Sequence, residues 1–136
     1  MNFDFGYALD QFLTIASYTG MTLKISVVTM VITVVFALAI TFVRYYKIKV
    51  LTRIVNIYID LFRGTPLLVQ FFFNYFGLPH LFPSFVNMTG YTAAVIGLTL
   101  NTAAYMTEDM RGALSSVSKG QIEGGLSLGM TNMQVM

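Results

Sequence analysis

The chain has 136 residues, of which 56% are hydrophobic and 10% charged, with a net charge of +2 and no cysteine. An ordinary soluble domain carries roughly 25% charged residues, so a water-facing globular surface is hard to build from this composition. Without cysteine there are no disulfides, thiolate metal sites or cysteine nucleophile, a single histidine cannot make a histidine-rich metal centre, and so small a net charge does not point to nucleic acid.

Where the charges fall is more telling than how many there are. Between Arg63 and Glu108, 44 residues pass without one Asp, Glu, Lys or Arg, and residues 25–43 form an earlier uncharged stretch. An ionised side chain at mid-bilayer costs several kcal/mol, so charges in a spanning chain retreat to the ends of its spans. The pattern predicts an integral membrane protein with lipid as its first partner. There is no internal repeat, low-complexity tract or linker between independent domains.

Residues 1–21 carry Asp4 and Asp10 but no cation, the reverse of a signal-peptide start, and the apolar run that follows is longer than a signal core. They are expected to be an extracytoplasmic segment ahead of a retained span. That first span covers about 22–43: some 20 apolar residues cross a hydrocarbon core roughly 30 Å thick. Lys24 can snorkel to the headgroups at one end, and Arg44 closes the other. Residues 44–53 then hold Arg44, Lys47, Lys49 and Arg53 and no acid, which places this loop in the cytoplasm.

The second hydrophobic region, about 55–78, is not uniform. Asp60 and Arg63 lie one helical turn apart and could pair on one face. Gly64-Thr65-Pro66 should interrupt the helix, because proline disfavours helical geometry in the residue before it and clashes with the carbonyl four back. Residues 54–63 therefore read as a helix near the interface, and the crossing starts at 65. The aromatics from Phe71 to Phe76 read as lipid-facing or packing residues. Gly77-Leu-Pro79-His80-Leu-Phe-Pro83 reads as a turn, His80 as an interfacial histidine, and Gly90 as the end of an uncharged loop. The third span, about 91–107, is the most polar. Ala93, Gly97 and Asn101 recur every four residues, a spacing that permits close helix approach. From polarity within this span alone, Thr99, Asn101 and Tyr105 are candidates for a substrate pathway. Beyond Glu108 the chain becomes water-compatible, and glycines at 112, 120, 124, 125 and 129 are expected to break up any long helix. Residues 22–112 thus form a transmembrane region, and 113–136 a cytoplasmic one.

Three blocks, in this order, carry a family resemblance. The first is Arg63-Gly-Thr-Pro-Leu-Leu-Val-Gln70 with the aromatic run to Pro79. The second is Ala104-Tyr-Met-Thr-Glu-Asp-Met-Arg-Gly-Ala113, and the third Ser116-Val-Ser-Lys-Gly-Gln-Ile-Glu-Gly-Gly-Leu-Ser-Leu-Gly129. Together they resemble the permease subunits of bacterial ABC importers for polar amino acids, the histidine, glutamine, arginine and opine group. The third block resembles the motif by which such permeases couple to their ATPase, whose core is Glu-Ala-Ala, three residues, then Gly. Here Glu123 and Gly129 keep that spacing, but Gly124 and Gly125 replace the alanines, at a cost of roughly 2 kcal/mol in helix propensity. The family motif continues into an Ile-x-Leu-Pro segment and further spans, whereas this chain stops at Met136, so the resemblance implies the N-terminal portion of such a permease.

The resemblance implies an all-α polytopic fold, with about three transmembrane helices and a cytoplasmic coupling helix near 118–130, an incomplete type I ABC importer. It implies ATPase contacts at Lys119, Gly120, Gln121, Glu123, Gly124, Gly125, Leu128 and Gly129. Structural roles are implied for Arg63, Gly64, Thr65, Pro66, Gln70, Glu108, Arg111 and Gly112. The implied partners are ABC ATPase subunits, a second permease subunit of the same or a different kind, and an extracytoplasmic amino-acid-binding protein, all at the bacterial inner membrane. The chain lacks the Gly-x-x-x-x-Gly-Lys-Ser/Thr phosphate loop, so ATP and Mg belong to the partner ATPase and this chain is a non-catalytic subunit without a cofactor. Two other classes compete. An intramembrane enzyme would use Asp60 or the Glu108–Asp109 pair, but adjacent helical residues point about 100° apart and no nucleophile or base converges on them. A small non-transporting structural or assembly protein would need nothing more than the spans.

Overall fold

The computed structural model describes residues 5–135. Residues 1–4, with Asp4 of the acidic leader, and Met136, the last residue of the expected coupling region, lie outside the described residues. Among those described, every regular element is helical.

Helices α1 (Phe5–Ser17) and α2 (Thr19–Tyr45) are separated by a single turn residue, Tyr18. Together they form a helical run of 41 residues, the one helix among the described residues long and apolar enough to cross a membrane. The first expected span sits inside α2. One stripe of α2 is buried: Thr29, Thr33, Ala37, Ile40 and Thr41, at the three- and four-residue spacing of a packed helix face. Val27, Met30, Val31 and Val35 on the other faces stay exposed, a surface that suits lipid and not water. The helix ends in a reverse turn where Lys47 takes a left-handed φ of 51°. Its N–H bonds the Arg44 carbonyl, and that of Ile48 bonds Val43.

α3 (Lys49–Gly64) then returns along α2. Val55, Tyr58, Ile59 and Phe62 fall on one face, and with Ile40 and Ala104 they form the small apolar core. The helix stops where the sequence predicts: Thr65 is extended, at φ −114° and ψ 139°, ahead of Pro66. Region 55–78 is therefore a broken path. After the Thr65–Pro66 corner come α4 (Leu67–Phe72), a π-helical turn (Phe73–Gly77) and α5 (Leu78–Leu81). The expected turn at 77–83 is corrected, because Gly77 to Leu81 is helical and the chain leaves the helix at Phe82. The widened π turn lets Pro79 follow directly, since it relaxes the ladder at the point where proline lacks an N–H and crowds the preceding turn. His80 is exposed on α5, with Nδ1 3.1 Å from the Phe76 carbonyl.

A 3₁₀ turn (Pro83–Phe85) leads to α6 (Gly90–Ser116), which begins after Thr89, whose hydroxyl accepts the Thr92 N–H at 3.2 Å. α6 packs most extensively against α2. Gly97 is needed for close approach: a Cβ there would lie 2.8 Å from Phe71 and 2.9 Å from the Asn74 amide. The expectation that Gly112 helps to break the chain after Glu108 is corrected, since α6 runs through it to Ser116. One glycine costs a helix only about 1 kcal/mol, and the Glu108–Arg111 pair and the Ser115 hydroxyl bond to the Arg111 carbonyl brace that turn. Val117 is the break. α7 (Lys119–Ser127) and α8 (Asn132–Val135) follow and pack against each other.

Candidate functional site

Two constellations come from the residues singled out in the sequence. The first lies where α2, α3 and α6 meet, and its centre is Glu108. Arg44 of α2 donates Nη1 to Oε1. On the other oxygen, Arg111 donates Nε at 3.0 Å with Nη2 at 2.9 Å, and Arg63 of α3 lies at 4.0 Å. Glu108 is half-buried, its side chain 17% exposed. The Arg44 hydrogen bond holds its carboxyl below the usual carboxylate range, against the opposing effect of burial and with help from Arg111. The expected Asp60–Arg63 pair does not form: Asp60 is exposed, while Arg63 turns across to Glu108 and stacks its guanidinium 5.3 Å from the Tyr105 ring centroid. Arg63, Glu108 and Arg111 of the family blocks are thus brought together. Arg44, read only as an interfacial anchor, is the member that sequence reasoning missed. A signal existed, since an acid at the end of a long uncharged run needs a cationic partner.

Beside it, the Gly64–Pro66 break leaves carbonyls at the end of α3 without helical partners. Gln70 answers them, donating Nε2 to Phe62 O at 2.9 Å, Thr65 O at 3.0 Å and Thr65 Oγ1 at 2.7 Å. Asn101 adds its amide to Phe62 O at 3.3 Å and to Gln70 Oε1 at 3.2 Å. The Tyr105 hydroxyl lies 3.5 Å from the Arg63 carbonyl. Asn101 and Tyr105 therefore tie α6 to the α3–α4 corner. Thr99 is not with them. It is buried, its hydroxyl lacks a hydrogen-bond partner, and it lines an apolar groove of about 590 Å³ between α2 and α6 with Val35 and Ile96. Gly64 and Gly112 have open space around a would-be Cβ. Tyr58, also missed, donates its hydroxyl to the Leu100 carbonyl at 2.6 Å and helps lock α3 to α6.

The second constellation is α7. Ser118 caps it, its hydroxyl accepting the Gln121 N–H at 3.3 Å. Its end is a Schellman turn: Gly129 N–H bonds Leu126 O at 3.0 Å, Met130 N–H bonds Gly125 O at 3.2 Å, and Gly129 takes φ +83°. A side chain at 129 would be strained. Lys119, Gly120, Gln121, Glu123, Gly124 and Leu128 are all exposed, and no residue of α7 is buried. Gly125 faces α8, where a Cβ would meet Val135 at 2.9 Å, while Gly124 faces open space. Among the described residues, no three His, Cys, Asp or Glu side chains cluster as a metal site would require.

Comparison with known proteins matches residues 37–136 to the family described as "Binding-protein-dependent transport system inner membrane component". All 136 residues align at 42% identity with the "Probable amino-acid ABC transporter permease protein PatM" of Vibrio harveyi, covering 61% of that protein. The arginine transport system permease protein ArtQ of Bacillus subtilis is 34% identical over the whole chain, again 61% of its own length. A solved structure titled "Crystal structure of an amino acid ABC transporter with histidines" superposes with a TM-score of 0.86 at 34% identity, covering 100% of this chain and 62% of that one. The chain thus spans about three-fifths of the length of the relatives it matches.

Proposed function

Because the chain belongs to the family of binding-protein-dependent transport system inner membrane components, we propose that it contributes to the membrane pathway of an ABC importer for polar amino acids. The observation that carries this reading is α7. It is a short, exposed helix, capped by Ser118 and closed by the left-handed Gly129, with Glu123 at the expected position in the coupling motif. A helix defined at both ends can seat in a groove of an ATPase and transmit its movement, because packed helices shift as units. Glu123 supplies a polar contact there and Gly129 a tight exit. Lys119, Gly120, Gln121 and Leu128 share the exposed surface, while Gly125 keeps α8 close.

In this reading, ATP and Mg are bound by separate ATPase subunits, a second permease subunit completes the pathway, and an extracytoplasmic protein delivers the amino acid. The names of PatM and of the arginine permease ArtQ among the relatives support an amino-acid cargo. The cation-rich residues 44–53 and the segment from 113 onward face the cytoplasm, and α1 lies on the opposite side. Spans at about 22–43, 55–78 and 91–107 suit this topology, with the middle one a broken path through the end of α3, the Thr65–Pro66 corner, α4 and the π turn. The Arg44–Glu108–Arg63 cluster joins the three helices, so a displacement of α6 is shared by α2 and α3.

The test is transport with Glu123→Ala and Gly129→Asp variants made in the complete gene. Both are expected to insert normally and to lose uptake. Normal uptake by both, at normal membrane levels, would sink the coupling assignment.

A further inference from the structure

At the Arg44 end of the helix bundle, a depression of about 330 Å³ opens between α2, α3 and α6. Arg44, Thr52, Asn56, Arg111 and Ser115 line it. It shares Thr41, Tyr45 and Leu114 with an adjoining apolar groove of about 270 Å³, which continues along Leu38, Phe42 and Met110. We propose that this pair of depressions binds one anionic phospholipid, with its phosphate headgroup at the arginines and an acyl chain in the groove.

Charge carries the argument. Two guanidiniums, Arg44 and Arg111, line the depression, and both pair with Glu108, which neutralises one of them and leaves one positive charge in excess. The remaining acids nearby do not compensate: Asp60 and Asp109 are exposed, and neither pairs with these arginines. A largely buried cation such as Arg44 is costly unless its hydrogen-bonding groups are fully met. Arg44, with its side chain only 19% exposed, offers one nitrogen to Glu108 and keeps further N–H groups for another acceptor. The Asn56 amide makes no hydrogen bond among the described residues and opens on the same space. A planar guanidinium suits phosphate oxygens, which it can meet in pairs.

Depth selects lipid as the source. Arg44 closes the uncharged stretch 25–43, so its guanidinium stands where hydrocarbon gives way to headgroups. Basic pockets between spanning helices at that level take anionic headgroups. A free phosphate would use the arginines but leave the apolar groove empty; a phospholipid fills both. The proposal needs only that the chain sits in a membrane, and it is independent of coupling to an ATPase.

The test is native mass spectrometry on the complete, delipidated transporter, titrated separately with phosphatidylglycerol, phosphatidylcholine and inorganic phosphate. Phosphatidylglycerol is expected to be retained over phosphatidylcholine. Arg111→Gln, which removes one guanidinium, and Ser115→Glu, which adds a carboxylate at the rim, should each weaken that retention about fivefold. Lys24→Gln, at the far end of α2, should leave it unchanged. Ser115 is exposed, so Ser115→Glu tests the site even if Arg111→Gln loosens the bundle. Equal retention of the two lipids overturns the proposal, as does an undiminished preference in Ser115→Glu. Displacement of phosphatidylglycerol by inorganic phosphate at equal concentration overturns the lipid assignment in favour of a free anion.

Discussion

Removing the Glu108 carboxylate would leave Arg44, Arg63 and Arg111 facing one another across three helices. Glu108→Gln should therefore destabilise the complete protein by about 2 kcal/mol, the scale of a lost charge-assisted hydrogen bond with its partner left half-buried. Thermal unfolding in detergent would register this. The pH dependence follows from the sign of the shift. Arg44 lowers the folded-state pKa of Glu108, so its stabilisation is complete above the unfolded-state pKa and drains away as pH falls through the depressed folded value. Wild-type protein should lose this increment of stability on the acid side, and Glu108→Gln should lack it. The two glycines of α7 separate just as cleanly. Gly124 has open space, so Gly124→Ala should strengthen the helix by about 1 kcal/mol. At Gly125 an added Cβ meets Val135 at 2.9 Å, and Gly125→Ala should displace α8. Hydrogen exchange should slow in α7 for the first variant and quicken in α8 for the second; the same change in both would refute the distinction.

Elements meet most closely where Gly97 of α6 passes Phe71 and the π turn. Gly97→Ala should force α4 and the π turn away from α6, costing about 1–3 kcal/mol of overpacking. An unfolding temperature equal to wild type would show that this approach carries no load. The same contact explains what could and could not be read beforehand. The helix at Ser118 was expected from the family resemblance of its block, and the corner at Thr65–Pro66 was legible because proline geometry acts within a few residues. The π turn was not, since it forms where Phe71 and Asn74 pack beside a glycine more than twenty residues away. Nor was the use of Asn101. Polarity made it a pathway candidate, but its amide bonds lead to Phe62 and Gln70, 39 and 31 residues distant. Arg44 meets Glu108 across 64 residues, and local pattern offered a lipid anchor instead. Gly112 misled for the opposite reason: an intrinsic helix-breaking tendency was outweighed by the ion pair and serine bonds around it.

For the molecule as a whole, orientation decides whether α7 can meet an ATPase. A cysteine replacing Lys47, made in the complete gene, should resist an impermeant reagent added outside intact cells, whereas one replacing Tyr7 of α1 should react. The reverse pattern would turn the chain over and remove α7 from any cytoplasmic partner. The membrane-like composition was readable at this scale because solvent acts on every residue, while the cross-chain contacts needed the fold. Length sets a further condition. The helical run Phe5–Tyr45 has 41 residues and would reach about 60 Å if straight, twice the thickness of a hydrocarbon core. α2 alone exceeds that thickness. In the topology proposed above, the turn at Tyr18 works as a depth gauge: it sits where α2 would run out of lipid, and α1 would need a different surface to lie on.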